Sequence, residues 1–488
     1  MSLLSHAKRQ LASLAKHTHL NAFINVADRD DIVSRVAAAE SSIRGTDVNC
    51  SSPFGRLIAV KDNICTDVLP TTAASGILEH FKSPYGATAA RKLREAGAII
   101  VGKTNLDEFG MGSHNIHSAF QATKFERKGE VMSPGGSSGG SAVAVATGQC
   151  WTALGTDTGG SVRLPAAYTG IIGFKPSYGL LSRWGVIAYA NSLDTVGIMG
   201  NNINSVEGVF DTLNFHDPLD PTSLTPSTRS RLPIWTQSGD KPLRIGVPMD
   251  YNISILQPAI REAWLRSLHL MRSRGHTLHT VRLAASQHAL SAYYVLAPAE
   301  ASSNLAKYDG VRYGSRVKEE DGTPDYVLYA KTRSAGFGPE AQRRVLLGSF
   351  SLSAQAMDNY FIQAQKVRRL VQQDFDKVFA APNPLLAHKT GVNDDGVDVL
   401  LCPTAPTLAP ELSEARSQKS LHAYMNDVFT VPASLAGLPA ISVPVHRNKV
   451  SELQDSAPAG MQIIGQYGDD KAVLRVAKEL SVFSTPWA

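Results

Sequence analysis

The sequence predicts an α/β fold with helices over both faces of its sheet, and three observations in the first hundred residues predict it. Leu57-Ile58-Ala59-Val60 is a short, wholly apolar run. Thr88 to Ala96 sets apolar and basic residues at helical spacing and stops at Gly97. Ala98-Ile99-Ile100-Val101 is a second apolar run. Apolar runs this short, bounded by turn formers, read as strands buried on both sides, and a helix between two of them makes a strand–helix–strand crossover. Further along, the small-residue stretch Ala142 to Ala146 can form a helix. Ala341 to Asp376 is long, charged and periodic, which predicts one or two helices. His216 to Lys241, rich in Pro, Ser and Thr, and Pro382 to Asp398, with Pro, Asn and Gly, read as irregular surface excursions. Neither is long enough to mark a domain boundary.

Apolar residues make up 43% and charged residues 19% of the 488, which supplies a large core and excludes a disordered chain. The 48 Lys and Arg against 43 Asp and Glu leave +5, spread without a basic block. That balance neither demands nor excludes an RNA partner. No stretch approaches about 18 consecutive apolar residues, so no membrane-spanning helix is expected. Cys50, Cys65, Cys150 and Cys402 are scattered, with no C-x-x-C pair. This argues against a disulfide framework or a structural zinc site and for a reducing compartment. The chain starts basic, with Lys8, Arg9 and Lys16 ahead of the first acidic residue, Asp28. Such a start suits a mitochondrial import signal, and equally an ordinary basic surface helix.

Gly97 to Thr104 satisfies the phosphate-loop expression G-x-x-x-x-G-K-[ST], but the physics is wrong for it. In such a loop the four middle residues form a turn around the anion, and the strand lies before the first glycine. Here the middle four are Ala98-Ile99-Ile100-Val101, the strand itself. Gly102-Lys103-Thr104 is then a strand end and the start of a helix, with Thr104 or Asn105 as its cap.

The chemistry concentrates between Ser133 and Pro176. Ser133-Pro-Gly-Gly-Ser-Ser-Gly-Gly-Ser141 is followed by the potential helix, and then by Gly155-Thr-Asp-Thr-Gly-Gly-Ser-Val-Arg-Leu-Pro165. Glycines at this density bring backbone amides within reach of a ligand. Gly-Gly-Ser recurs 24 residues after its first occurrence, so two serine loops can converge on one point. A serine hydroxyl is a weak nucleophile until a base takes its proton. No G-x-S-x-G elbow is present, and the fourteen histidines are scattered. Lysine is the alternative base, provided that burial and nearby positive or dipolar groups keep it neutral near pH 7. Lys61, closing the strand Leu57 to Val60, is the best candidate. Taken alone, it reads rather as a strand-end lysine whose amine reaches water.

Lys61, the Gly-Gly-Ser-Ser-Gly-Gly loop and the Gly-Gly-Ser-Val-Arg segment, in this order and spacing, resemble the amidase signature family. The likeness runs from Asn21-Ala-Phe-Ile24 to Gly460-Met-Gln-Ile-Ile-Gly465. It implies one large domain over residues 1–488, with a central mixed β-sheet covered by helices. A catalytic core at about 50–200 and a substrate-pocket and sheet-completing region at about 285–480 follow from it. It further implies a catalytic set of Ser161, Ser137 and Lys61. Ser161 attacks a carbonyl, Ser137 (held in a cis peptide in this family) relays the proton, and Lys61 is the final base. The turn Thr158, Gly159, Gly160 and Ser161 can aim its N–H groups at an oxyanion, each such donor being worth on the order of 3 kcal/mol. Asp157 and Arg163 flank that turn and read either as a brace or as surface charge.

The later half narrows the amide. Ala292-Tyr-Tyr-Val295, Ser302-Ser-Asn-Leu305, Gly336-Phe-Gly338, Arg343-Arg-Val-Leu-Leu-Gly348 and Asp427-Val-Phe-Thr-Val-Pro432 are similar to the glutamine-using A-type chains of glutamyl-tRNA(Gln) amidotransferases. The resemblance assigns glutamine binding to Tyr293, Arg344 and Asp427. Their chemistry suits a zwitterion: a guanidinium forks onto the α-carboxylate, an aspartate takes the α-ammonium, and a phenol adds a hydrogen bond. Considered singly, Arg344 also reads as a solvated charge and Asp427 as a cap. The same resemblance implies two partners, a B-type subunit with a small third subunit. It puts ATP, Mg and Glu-tRNA(Gln) on the B-type partner, with no cofactor or metal in this chain. The short segment before Asn21 is like that of fungal mitochondrial members, and it puts the usual contact with the small subunit in question. A free-standing amidase for another small amide and a non-catalytic scaffold of the same fold remain as alternatives; Tyr293, Arg344 and Asp427 argue against the first, and Lys61, Ser137 and Ser161 against the second.

Overall fold

The structure is a computed structural model that describes residues 2–43, 51–233, 241–317, 327–386, 393–418, 420–445 and 457–481. Its strands are β1 (Phe23–Val26), β2 (Leu57–Lys61), β3 (Ile99–Thr104), β4 (Phe125–Arg127), β5 (Glu130–Met132), β6 (Thr152–Asp157), β7 (Ile172–Lys175), β8 (Thr195–Gly200), β9 (Arg244–Pro248), β10 (Thr277–Val281), β11 (Val399–Pro403), β12 (Ala440–Val445) and β13 (Ala459–Gly465). Eleven join in one sheet, in the order β1-β3-β2-β6-β8-β7-β12-β13-β11-β9-β10, while β4 and β5 form a separate hairpin. The sheet is mixed. β2 runs parallel to both β3 and β6, and β9 to both β10 and β11. β6, β7 and β12 meet their neighbours β8, β8 and β13 antiparallel.

The two apolar runs are β2 and β3, and the stretch between them is the helix Thr88–Glu95. Every residue of β2, β3 and β6 is buried, because both faces of the sheet are covered. Alternation along β2 makes this visible. Leu57 and Ala59 join a core with Leu3, Ala7, Leu11, Ile32 and Val36, supplied by the helices Leu3–Lys16 and Arg29–Ser42. Ile58 and Val60 join a second core with Leu93, Val206 and Phe210, supplied by the helices Thr88–Glu95 and Ile203–Leu213. The basic start is thus a docked helix: Leu3, Ala7 and Leu11 are buried, and Lys8, Arg9 and Lys16 face solvent.

Gly139–Ala146 is the expected small-residue helix, and the long charged segment resolves into the helices Pro339–Ser351 and Phe361–Val378. The expected helix after Gly102-Lys103-Thr104 does not form. β3 runs on through Thr104, whose hydroxyl pairs with Ser141 Oγ at 2.6 Å. The Asn105 side-chain oxygen accepts the Ser118 hydroxyl and the adjacent Leu106 N–H, and its amide donates to the Asn21 and Gln121 carbonyls, so it caps no helix. The chain then makes a tight turn at Glu108–Gly110 with Phe109 in a left-handed conformation. Lys103, the lysine of the phosphate-loop pattern, is fully buried, ion-paired with Asp62 at 3.1 Å and bonded to Thr71 Oγ1 at 2.7 Å.

Neither irregular stretch is loose where it is described. In the first, the short helix Pro226–Arg229 is pinned by Arg229, which donates to the Leu180 and Phe215 carbonyls; residues 234–240 lie outside the described residues. In the second, the Asn393 side chain donates to the Lys377 carbonyl and the Asn393 N–H to the Ala380 carbonyl, and residues 387–392 lie outside. Cys50 is likewise not described. Among the described residues, no helix is long and apolar enough to cross a membrane.

Helices Ala289–Asn304 and Pro339–Ser351 lie against each other through Gly348, where a Cβ would stand 1.9 Å from the Pro298 carbonyl oxygen. Gly348→Ala is expected to cost about 2–3 kcal/mol through overpacking, measured as a lowered urea midpoint. An unchanged midpoint would show that the two helices separate without penalty.

Candidate active site

β2 and β6 are parallel neighbours, so their C-terminal ends open on the same side of the sheet, the edge where α/β proteins hold ligands. Lys61 is the last residue of β2, and Asp157 the last of β6. The turn Thr158 to Ser161 leaves β6 and enters the helix Arg163–Thr169. The loop Ser133 to Ser138 leads into the helix Gly139–Ala146. Its Gly136–Ser137 peptide is cis. Gly136 has no room for a side chain: a Cβ there would meet Asp107 Oδ2 at 2.2 Å.

The Lys61 amine is fully buried. It lies 2.8 Å from Ser137 Oγ, 2.8 Å from Ser138 Oγ and 3.0 Å from Thr156 Oγ1. Burial disfavours its cation and brings its pKa down to about 7, against the pull of Asp107, Asp157 and Asp194. A neutral amine keeps one lone pair, and a hydroxyl at 2.8 Å can donate to it. The lysine is therefore not the snorkelling kind. The Ser138 N–H donates to the Ser161 carbonyl at 3.1 Å, so the two serine loops touch. Ser161 keeps 8% of its surface exposed.

The remaining sequence-predicted residues gather around that turn. The Thr158 hydroxyl donates to Asp194 Oδ1 at 2.7 Å. A Cβ on Gly159 would fall 2.8 Å from the Tyr293 hydroxyl, and one on Gly160 would fall 2.2 Å from Thr430 Oγ1 and 3.0 Å from Asp427 Oδ1. Tyr293 and Asp427 thus press on the turn where only glycine fits. Asp157 and Arg163 form a buried two-pronged pair, Nε to Oδ2 at 3.0 Å and Nη2 to Oδ1 at 2.9 Å. Burial opposes the Asp157 charge, but Arg163 outweighs it and holds the carboxyl below its usual range. Arg163 also reaches the Thr430 carbonyl and Gln462 Oε1. The pair is a brace and carries no surface charge.

Arg344 is buried; Arg343 beside it is exposed. Arg344 Nε donates to Glu340 Oε1 at 2.8 Å, and Nη1 to the Tyr189 hydroxyl at 2.7 Å. The rings of Tyr189, Tyr294 and Tyr424 surround the guanidinium with centroids 5.4–5.8 Å away. Asp427 Oδ2 accepts from Ser113 Oγ at 2.8 Å, and burial pushes the Asp427 carboxyl up to about 6.

Sequence reasoning missed Tyr189, Tyr294, Tyr424, Glu340, Ser113, Ser138, Thr156 and Asp194. Glu340 stands four residues before Arg344, a helical pair spacing that was there to be read. Tyr294 adjoins Tyr293 in the same motif. Ser138 and Thr156 sit inside the two glycine–serine segments, next to Ser137 and Asp157, while Tyr189, Tyr424, Ser113 and Asp194 come from other segments and carry no local signal. Among the described residues, no three His, Cys, Asp or Glu side chains are grouped to hold a metal ion.

The amidase family model matches residues 10–474. The chain is 56% identical to the A-type chain of the mitochondrial glutamyl-tRNA(Gln) amidotransferase of Emericella nidulans, and 57% identical to that of Coccidioides posadasii. Each alignment covers 98% of this chain and 99% of the relative. The crystal structure of the A-type chain of the glutamyl-tRNA(Gln) amidotransferase from Thermotoga maritima superposes with a TM-score of 0.75 at 31% identity, covering 100% of this chain and 95% of that one. A structure described only as an amidase gives a TM-score of 0.76 at 26% identity, covering 99% and 97%.

In the folded chain the Lys61 amine is expected to lose its proton near pH 7, where an ordinary lysine does so at 10.5. Nitrogen-15 NMR of the lysine side chains, with Lys61→Met to assign the signal, measures this. A Lys61 resonance still cationic at about pH 9, some two units above the expected midpoint, would contradict the burial argument.

Proposed function

Because the chain belongs to the amidase family, we propose that it is the glutaminase subunit of a mitochondrial glutamyl-tRNA(Gln) amidotransferase. The observation that carries this reading is a buried amine with a pKa near 7, 2.8 Å from Ser137 Oγ, in a site that also contains the buried Arg344 guanidinium, paired with Glu340, and the buried Asp427 carboxylate. In this reading Arg344 forks onto the glutamine α-carboxylate through its remaining N–H groups, Asp427 takes the α-ammonium, and the Tyr293 hydroxyl hydrogen-bonds the substrate. An apolar amide would offer nothing to the remaining Arg344 N–H groups or to Asp427 Oδ1, a cost of about 1–3 kcal/mol for each polar group left unsatisfied.

The chemistry follows from the three reacting groups. Ser161 Oγ attacks the carboxamide carbon as its proton passes to Ser137 Oγ, and the Ser137 proton passes to the Lys61 lone pair. The N–H groups of Thr158, Gly159, Gly160 and Ser161 face the oxyanion that forms. Lys61 returns its proton through Ser137 to the departing nitrogen, ammonia leaves, and a γ-glutamyl ester remains on Ser161. Water, deprotonated along the same route, hydrolyses the ester to glutamate and restores the serine.

The whole chain acts as one amidase domain. Residues at about 50–200 supply the catalytic groups, and those at about 285–480 the glutamine pocket and the rest of the sheet. The ammonia serves a B-type partner that binds ATP, Mg and Glu-tRNA(Gln), with a small third subunit completing the assembly. The names of the relatives, which call them mitochondrial and parts of an amidotransferase, support assembly and compartment. The exposed apolar side chains Leu346, Leu347 and Phe350 on the outer side of the Pro339–Ser351 helix also suit a chain that works within a complex.

Ser161→Ala is expected to abolish ammonia release from glutamine in a coupled glutamate dehydrogenase assay. Wild-type kcat/KM should climb with pH through an inflection near 7, because Lys61 accepts a proton only as the free amine. Arg344→Ala is expected to raise KM by roughly 30-fold or more, the scale of a lost charge-assisted bond. An unchanged KM in that variant would remove glutamine as the substrate.

A further inference from the structure

The loop after β3 touches both halves of the site. The Asp107 N–H donates to the Ser137 carbonyl at 3.2 Å, and the Asp107 carboxylate accepts the Asn115 and His117 amides at 2.8 and 3.0 Å. The next residues reach the other way. Ser113, 6% exposed, donates its hydroxyl to Asp427 Oδ2 at 2.8 Å. The His114 ring lies between Ser133 Oγ at 2.9 Å and Asn426 Nδ2 at 3.1 Å. One short loop therefore holds Ser137 by its backbone and Asp427 by a side chain.

The two oxygens of Asp427 are not equivalent. Oδ2 takes the Ser113 hydroxyl, with the Tyr294 hydroxyl 3.5 Å away on the same oxygen. Oδ1 faces the nucleophile turn, 3.0 Å from where a Gly160 Cβ would stand. A serine has one O–H to give, and this one is given to the oxygen turned away from the turn. We propose that Ser113 is a specificity-determining positioning residue: it fixes Asp427 so that Oδ1 is presented to the α-ammonium group of the substrate.

The inference rests on the glutamine reading of the pocket and deepens it. Ser113 touches neither the reacting atoms nor the α-carboxylate. Its contribution is confined to substrates that carry an α-ammonium. Losing its bond frees the carboxylate to rotate and removes a donor that favours the anion over the acid. The other groups facing Asp427 stay in place: Arg344 on the Pro339–Ser351 helix, Tyr293 and Tyr294 on the Ala289–Asn304 helix, Asp157 and Arg163 about the nucleophile turn, and Tyr168. Of the charged groups among these, only Arg344 and Arg163 favour the Asp427 anion. Burial keeps the nearby His114 ring down at about 4, so it adds no charge near neutrality.

The test compares L-glutamine with glutaramate, the same amide without the α-amino group, on the full chain in its native complex. Ser113→Ala is expected to raise KM for glutamine roughly tenfold, the fold-change of one hydrogen bond to a charged group, with kcat little changed. KM for glutaramate should not move, and Ser113→Thr, which keeps the hydroxyl, should restore the glutamine value. The wild-type KM for glutamine should rise as pH falls through about 6, where Asp427 takes up a proton. In Ser113→Ala that inflection should move upward, because the acid form gains relative to the anion. Equal losses on both amides, or an unmoved glutamine KM, would overturn the assignment. Asp427→Asn separates the two ideas. If it weakens glutamine selectively while Ser113→Ala does not, only the role of Ser113 fails; if Asp427→Asn has no selective effect, the glutamine pocket itself fails.

Discussion

Burial of a single lysine amine sets the character of this molecule. Lys61 stands at the end of a strand with every residue buried, and the three carboxylates nearest it electrostatically favour its cation. Desolvation still dominates and brings the amine to about 7, which requires that no carboxylate bond it directly. The oxygens around the nitrogen are hydroxyls and one carbonyl, from Ser137, Ser138 and Thr156. Lys103, the next buried lysine along the sheet, makes the contrast: it is ion-paired to Asp62 at 3.1 Å. Two lysines at neighbouring strand ends thus have different chemistry, decided by whether the partner oxygen is charged.

The rest of the site depends on keeping those hydroxyls where they are. Asp157 and Arg163 lock the start of the Thr158–Ser161 turn, and Arg163 extends the lock to the Thr430 carbonyl and to Gln462 on β13. Removing either partner would leave an uncompensated charge in the interior, the costliest kind of substitution. The glycines of both loops matter by subtraction. At Gly136, Gly159 and Gly160 the space of a Cβ is taken by Asp107, Tyr293 and Thr430, so side chains from distant segments pack directly on the backbone of the two loops.

Much of this was legible in the sequence, for identifiable reasons. Strands β2 and β3 and the helix between them announce themselves because burial on both faces demands uninterrupted apolar runs. The serine loops announce themselves because close backbone approach demands glycine. The helix expected after Lys103 failed to form: local propensity was overruled when Asn105 and Thr104 found partners at Asn21, Gln121 and Ser141. The shell around Arg344 was mostly illegible. Tyr189 and Tyr424 come from widely separated parts of the chain, one in a loop and one in the helix Ser420–Met425, and a lone tyrosine reads the same whether it faces solvent or a guanidinium.

By itself the sequence determined the alternation of strands and helices, the two glycine–serine loops and the lysine, because each is imposed by local sterics and by the period of burial. Tertiary structure alone decided that the Lys61 amine is ringed by hydroxyls while Lys103 is an ion-pair partner, that Arg344 is enclosed and Arg343 exposed, and that Ser113 meets Asp427 across 314 residues of chain. Those distinctions rest on desolvation and on contacts a few ångströms long between distant segments, and neither is written into the order of neighbouring residues.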